Sequence, residues 1–258
     1  LTPWLYPIKW IGYTIPLAEL IGFLGSLAIL PRLLRRYQPL WVFLVFFAAI
    51  FPVFYVIYKK SNVYDGWRQL TFAYPTLAVA AALFWNELLE MFSGKKVVQY
   101  AVYGGFALLL ADAAAFIGAN PKISYVYFNP AMGGTKGAYG KYETDYWGIS
   151  IRQGIEWMEK QGILKPDMKD KVVIATNMYY PAQKLLAKYG DKVVVKYLKW
   201  ERRCDDAWDY GLYPTRFLDG AALAKGKWPP DNAAHIVEAG GAPILAILKD
   251  TGKNCALG

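Results

Sequence analysis

Four long apolar runs fall within the first 120 residues of this 258-residue chain, and no other feature narrows its fold as far. Each run is near the ~20 residues that a helix needs to cross a hydrocarbon core. Soluble domains rarely hold four such runs so close together. Every backbone N–H and C=O must be satisfied inside a bilayer, so runs of this kind fold as helices. The spacing predicts membrane helices over about 11–30, 39–58, 70–89 and 97–118. The predicted fold class is an integral membrane α-helical domain over 1–118, followed by a small α/β domain over 119–258.

The second part reads differently. Ile151, Ile155 and Met158 share one face of a helix over 149–161. Lys171–Ala175 and Val193–Tyr197 read as strands, with a helix over 181–189 between them that has a proline in its first turn. His235–Glu238 and Ile244–Leu248 flank Gly240-Gly241 and read as a hairpin. A strand–helix–strand order implies a small α/β sandwich with a mixed sheet.

The net charge of +9 is spread over both parts: nine Lys/Arg against five Asp/Glu up to residue 118, and 20 against 15 beyond. No single basic arm exists, which argues against nucleic acid as a partner and fits anionic lipid head groups. Arg32, Arg35, Arg36, Lys95 and Lys96 lie in the first and third loops, and Lys59, Lys60 and Arg68 in the middle one. By the Lys/Arg bias, the middle loop and the soluble domain lie outside the cytoplasm. Two cysteines, Cys204 and Cys255, are too few for a disulfide framework and leave two thiols or one disulfide open. His235 is the sole histidine, so His-rich metal sites are excluded, and its place at the start of a strand is a structural one.

The middle loop, Ser61 to Gln69, places Tyr64, Asp65, Gly66, Trp67 and Arg68 between two apolar runs. An arginine grips phosphate with a two-pronged fork. Tyr and Trp favour the boundary between lipid and water. Two readings stay open: a site for the phosphate of a lipid carrier, or an interfacial turn with aromatic anchors and an internal Asp65–Arg68 pair. A second cluster, Glu143, Asp145 and Trp147, sets carboxylates beside an aromatic ring as sugar sites do; the alternative is a packing loop. Glu19 and Asp112 sit in apolar helices, where carboxylates mark function by default; Glu19 lies well inside its span, while Asp112, within two turns of the outer end, has the alternative of reaching the interface. Glu87 and Glu90 lie at a helix end and call for no special account.

The segment Tyr64-Asp65-Gly66-Trp67-Arg68 resembles a loop motif of bacterial polytopic glycosyltransferases of the GT-C type, the relatives of protein mannosyltransferases and of the aminoarabinose transferase of lipid A. Pro3 to Trp10, Tyr127-Phe128-Asn129 with Gly133-Gly134, and Tyr142 to Gly148 also resemble segments of that family, in matching order over about residues 3–150. Gln69 departs from it, standing where a histidine is expected. The resemblance implies transfer of a sugar from a polyprenyl-phosphate donor to an acceptor outside the cytoplasm, in the bacterial inner membrane. It assigns Lys9 and Arg68 to the carrier phosphate. It places the catalytic acid in an early loop that this sequence, which opens on Leu1, does not contain, so the chain is expected to be the C-terminal part of such an enzyme. The catalytic residues here are unassigned, and whether a metal assists is open. Expected partners are membrane lipids, with either the N-terminal part or other membrane subunits. The alternative is a non-catalytic subunit built on the same scaffold, and a third reading is a lipid-binding or transport component.

Overall fold

The computed structural model describes residues 4–250, which divide into two compact units: residues 4–119 with 127–134, and residues 120–126 with 135–250.

In the first unit, α1 (Tyr6–Thr14) and α2 (Leu17–Ala28) replace the single span expected over 11–30, and the chain bends by 120° between them. The cause is Pro16. It has no N–H to donate back into α1, and it holds Ile15 in an extended conformation (φ −87°, ψ 140°). The carbonyls freed at this break are taken up by Asn129, which is fully buried. Its Nδ2 donates to Gly12 O and Ile15 O, each at 2.8 Å, and its backbone N–H donates to Tyr13 O at 2.7 Å. A buried helix end thereby keeps its polar groups paired.

The next segment, expected as a loop, is α3 (Leu30–Arg36), with Pro31 in its first turn. It is followed by α4 (Pro39–Tyr58), α5 (Tyr74–Met91) and α6 (Lys96–Ala119). Three helical stretches are long and apolar enough to cross a membrane, or four if the bent pair counts as one span. Along α6 only Ala113 is buried, and α4 leaves Trp41, Phe43, Phe47, Phe51 and Phe54 exposed. In water such surfaces are costly, whereas in lipid they are at home. α2 packs on α5 through small residues. A side chain at Gly25 would meet the Phe84 ring at 2.5 Å, and one at Gly22 would meet Trp85 at 2.7 Å.

Glu87 corrects the sequence reading. It is fully buried, with Arg32 Nε at 2.7 Å and Arg36 Nε at 2.9 Å. The arginines of the first loop therefore tie α3 to α5 through one carboxylate. Glu87→Ala should lower the thermal midpoint of the solubilised chain, and Glu87→Gln, which can still accept a hydrogen bond, should lower it less. An unchanged midpoint for Glu87→Ala would show that this clamp is not stabilising.

The second unit opens with α7 (Gly134–Ala138) and α8 (Ser150–Lys160). Then come β1 (Val172–Thr176), α9 (Tyr179–Leu186), β2 (Val193–Tyr197), β3 (Tyr210–Pro214), α10 (Gly220–Ala224) and the hairpin β4 (His235–Ala239) and β5 (Ala242–Lys249). The mixed sheet has order β2-β1-β3-β5-β4. β1 pairs in parallel with both β2 and β3, and β5 runs antiparallel to β3 and β4. Side chains alternate along each strand. Ile174, Leu212, Leu245 and Ile247 face α8 and α9, while Ala175, Tyr213, Ala246 and Leu248 face Trp208, Trp228 and Leu223 of α10. Cys204 is disulfide-bonded, and Cys255, the other cysteine of the sequence, lies outside the described residues.

Candidate functional site

The loop after α4 is gripped by one face of α1. Tyr6, Trp10 and Thr14, spaced four apart, line that face. The Gly66 N–H donates to the Tyr6 hydroxyl at 3.0 Å. The Trp67 indole N–H donates to Thr14 Oγ1 at 2.9 Å, and Thr14 in turn donates to Trp10 O at 2.7 Å. Gly66 has φ +75°, a conformation that favours glycine, and a Cβ there would crowd the Trp10 ring at 3.2 Å. Asp65 beside it is also left-handed (φ +56°), a conformation that aspartate tolerates better than most residues.

This geometry buries the Asp65 carboxylate and leaves the Arg68 side chain 31% exposed. Arg68 Nη2 lies 3.3 Å from Asp65 Oδ2, and its guanidinium sits 4.9 Å over the exposed Tyr64 ring. The arginine is thus positioned from both sides. Trp67 is placed otherwise than as an outward anchor: half-buried, bonded to Thr14, and edge-on to Tyr74 at 5.9 Å. Lys9 is exposed on α1, one position from Trp10.

Sequence reasoning missed Lys60. It has φ +49° and lines a small cleft of about 30 Å³ with Trp4, Pro7, Val56, Ile57, Ser61 and Val63. Its left-handed backbone, which ends α4, carries no signature in an apolar-to-polar transition. Tyr74 and Tyr127 were missed too. Glu19 bonds the Tyr74 hydroxyl, and Asp112 accepts from the Tyr127 hydroxyl at 2.8 Å. Burial, then the bond to Asp112, pushes the Tyr127 phenol above its ordinary value. Each of these helix carboxylates therefore has a phenol partner, as carboxylates in apolar surroundings need.

In the second unit, Glu143, Asp145 and Trp147 take separate roles. Asp145 is fully buried and accepts from Tyr125, from the Ser150 hydroxyl and from the Ile149 N–H at 3.1 Å. It thereby ties the start of α8, and burial raises its pKa against the opposing effect of those hydrogen bonds. Glu143 is half-buried, and Trp147 is 55% exposed. His235 stacks on Trp157 with centroids 4.8 Å apart and planes within 2°, and burial lowers its pKa. Among the described residues no group of three or more His, Cys, Asp or Glu is placed to hold a metal.

No protein-family model, no curated protein and no solved structure matches this chain.

Proposed function

We propose that this chain is the C-terminal part of a membrane glycosyltransferase that takes a sugar from a polyprenyl-phosphate carrier and transfers it to an acceptor outside the cytoplasm. The observation that carries this reading is Arg68, oriented by a buried carboxylate and an aromatic ring at the start of the long apolar helical stretch Arg68–Met91, with its side chain 31% exposed. The resemblance of residues 3–150 to the GT-C type supports it. In this reading the membrane is the bacterial inner membrane, and the loop at Asp65 and the second unit face away from the cytoplasm.

Displacement at the anomeric carbon leaves charge on the carrier phosphate, and Arg68 would stabilise it as it develops. Lys9, Lys59 and Lys60 are further cations on the flanking segments. In this reading Asp65 orients Arg68 and does not serve as the base. A second reading, a non-catalytic subunit, is favoured by one observation: Asp65, Glu19 and Asp112 are each already engaged, with Arg68, Tyr74 and Tyr127.

The test is to place the chain in lipid nanodiscs and measure decaprenyl-phosphate binding and sugar transfer separately. Binding without turnover is the expected result. Turnover by this chain alone would return the catalytic role to its own carboxylates, Asp65 first. Neither binding nor turnover would favour the non-catalytic subunit.

A further inference from the structure

At the carboxyl ends of β1 and β3, in the second unit, the chain leaves the sheet toward its two opposite faces. The chain leaves β1 into α9, which packs on one face of the sheet through Ala182 and Leu186. It leaves β3 toward α10, which packs on the opposite face through Leu223. β1 and β3 are adjacent and parallel, so their exits diverge. In open α/β sheets such a divergence is where ligands enter.

Asn177, directly after β1, lies at these exits and is 3% exposed. Its Nδ2 donates across to Arg216 O at 2.6 Å and toward Pro214 O at 3.4 Å. These two carbonyls fix the orientation of the amide and leave Oδ1, on the same plane, buried without a hydrogen-bond partner. An acceptor left so is costly. The loop before α8 lies across the same exits. Thr144 and Thr215 hydroxyls are 2.7 Å apart, and a Cβ at Gly148 would meet Met178 at 2.6 Å. Around these exits stand three exposed rings, Trp147, Tyr180 and Phe217. Phe217 has φ +68°, a rare conformation for a bulky side chain.

The chemistry at these exits selects among ligands. An anion would seek free N–H groups at the start of α9. There the Met178 N–H already donates to Thr176 Oγ1, and Pro181, third in the helix, has no N–H. What Asn177 lacks is a donor, and what surrounds it is aromatic. We propose that this region is a saccharide-binding site, in which a sugar hydroxyl donates to Asn177 Oδ1 and a pyranose face lies on Trp147 or Tyr180. For a hydroxyl to reach Oδ1 the Arg216 carbonyl would have to move aside, and the left-handed Phe217 next to it is where the backbone would give. The site would hold a glycan whether or not the chain transfers one.

The test is saturation-transfer difference NMR on the full chain in nanodiscs, with methyl α-mannopyranoside, methyl β-glucopyranoside and methyl β-galactopyranoside as probes and no donor lipid. At least one glycoside should show saturated ring protons at millimolar concentration. Trp147→Ala or Tyr180→Ala should weaken its binding by about 2- to 10-fold, the worth of one ring contact. Asn177→Ala should abolish it. Asn177 also ties two strand exits together, so the exposed Trp147 and Tyr180 keep the test informative if that variant fails to fold. No saturation with any glycoside, full binding by both ring variants, or broadening of the inorganic phosphate signal without glycoside binding would each overturn the site. No turnover is read, so this failure is distinct from failure of the glycosyltransferase reading.

Discussion

Arg68→Ala is expected to weaken decaprenyl-phosphate binding on the order of 10- to 100-fold, because a charge-assisted hydrogen bond contributes about 1.5–3 kcal/mol. The guanidinium is oriented by Asp65 at 3.3 Å and by the Tyr64 ring, so its loss also leaves the buried Asp65 carboxylate without this partner. Arg68→Lys keeps the charge but loses the planar fork that meets carboxylate and phosphate together, and should recover only part of the binding. Asp65→Asn keeps a residue that tolerates φ +56° while weakening the hold on Arg68. Its effect should be smaller than that of Asp65→Ala, which disturbs the backbone as well. Equilibrium titration in nanodiscs checks the series. Binding of Arg68→Ala equal to that of the parent chain would remove the arginine from the carrier site.

The second large effect concerns Asp145. Asp145→Ala strips the partner from the Ser150 hydroxyl and the Ile149 N–H at the start of α8, and from the Tyr125 hydroxyl of the segment 120–126. Leaving such buried groups unpaired costs about 3 kcal/mol, read as faster amide hydrogen exchange along α8. Asp145→Asn has the same shape and can still accept from Tyr125 and Ile149, while its amide can donate to the Ser150 oxygen. It should lie within about 1 kcal/mol of the parent chain. The pH dependence separates the two further. Burial raises the Asp145 pKa in the folded state, so its ionisation disfavours folding. The second unit is most stable with respect to this group below the ordinary aspartate value, and that contribution is lost as pH rises through the higher folded value. The difference in exchange between the parent chain and Asp145→Asn should therefore shift in favour of the amide as pH rises through that window. A pH-independent difference would contradict the burial argument.

Much of the fold was legible along the chain. The span expected over 39–58 is α4, Pro39–Tyr58, and that over 97–118 is α6, Lys96–Ala119. Both are long uniform apolar runs bounded by Pro39 and by Lys96, and the signal is local. β1, β2 and the hairpin were legible for the same reason, since runs of branched residues flanked by glycine or lysine need no distant partner to be read. β3 was not. Tyr210–Pro214 contains a glycine and ends on a proline, and its strand conformation comes from pairing with β1 and β5.

The polar architecture shows the same division more sharply. Pro16 is visible in the sequence, but a proline inside a long apolar run can kink a helix or break it. The 120° break stands because Asn129, 114 residues from Ile15, covers the freed carbonyls. Glu87 reads as an ordinary residue at a helix end until α3 brings Arg32 and Arg36 to it. Glu143 and Asp145, two residues apart, read as one acidic face until the start of α8 takes Asp145 as its buried acceptor. Hydrophobic burial follows from the order of residues, because each apolar side chain is driven from water wherever it stands. A buried polar group is settled only by its partner. For Asn129 and Glu87 those partners lie far away in sequence, so the chain dictates where its apolar helices and strands form, while tertiary pairing decides which of its charges are structural.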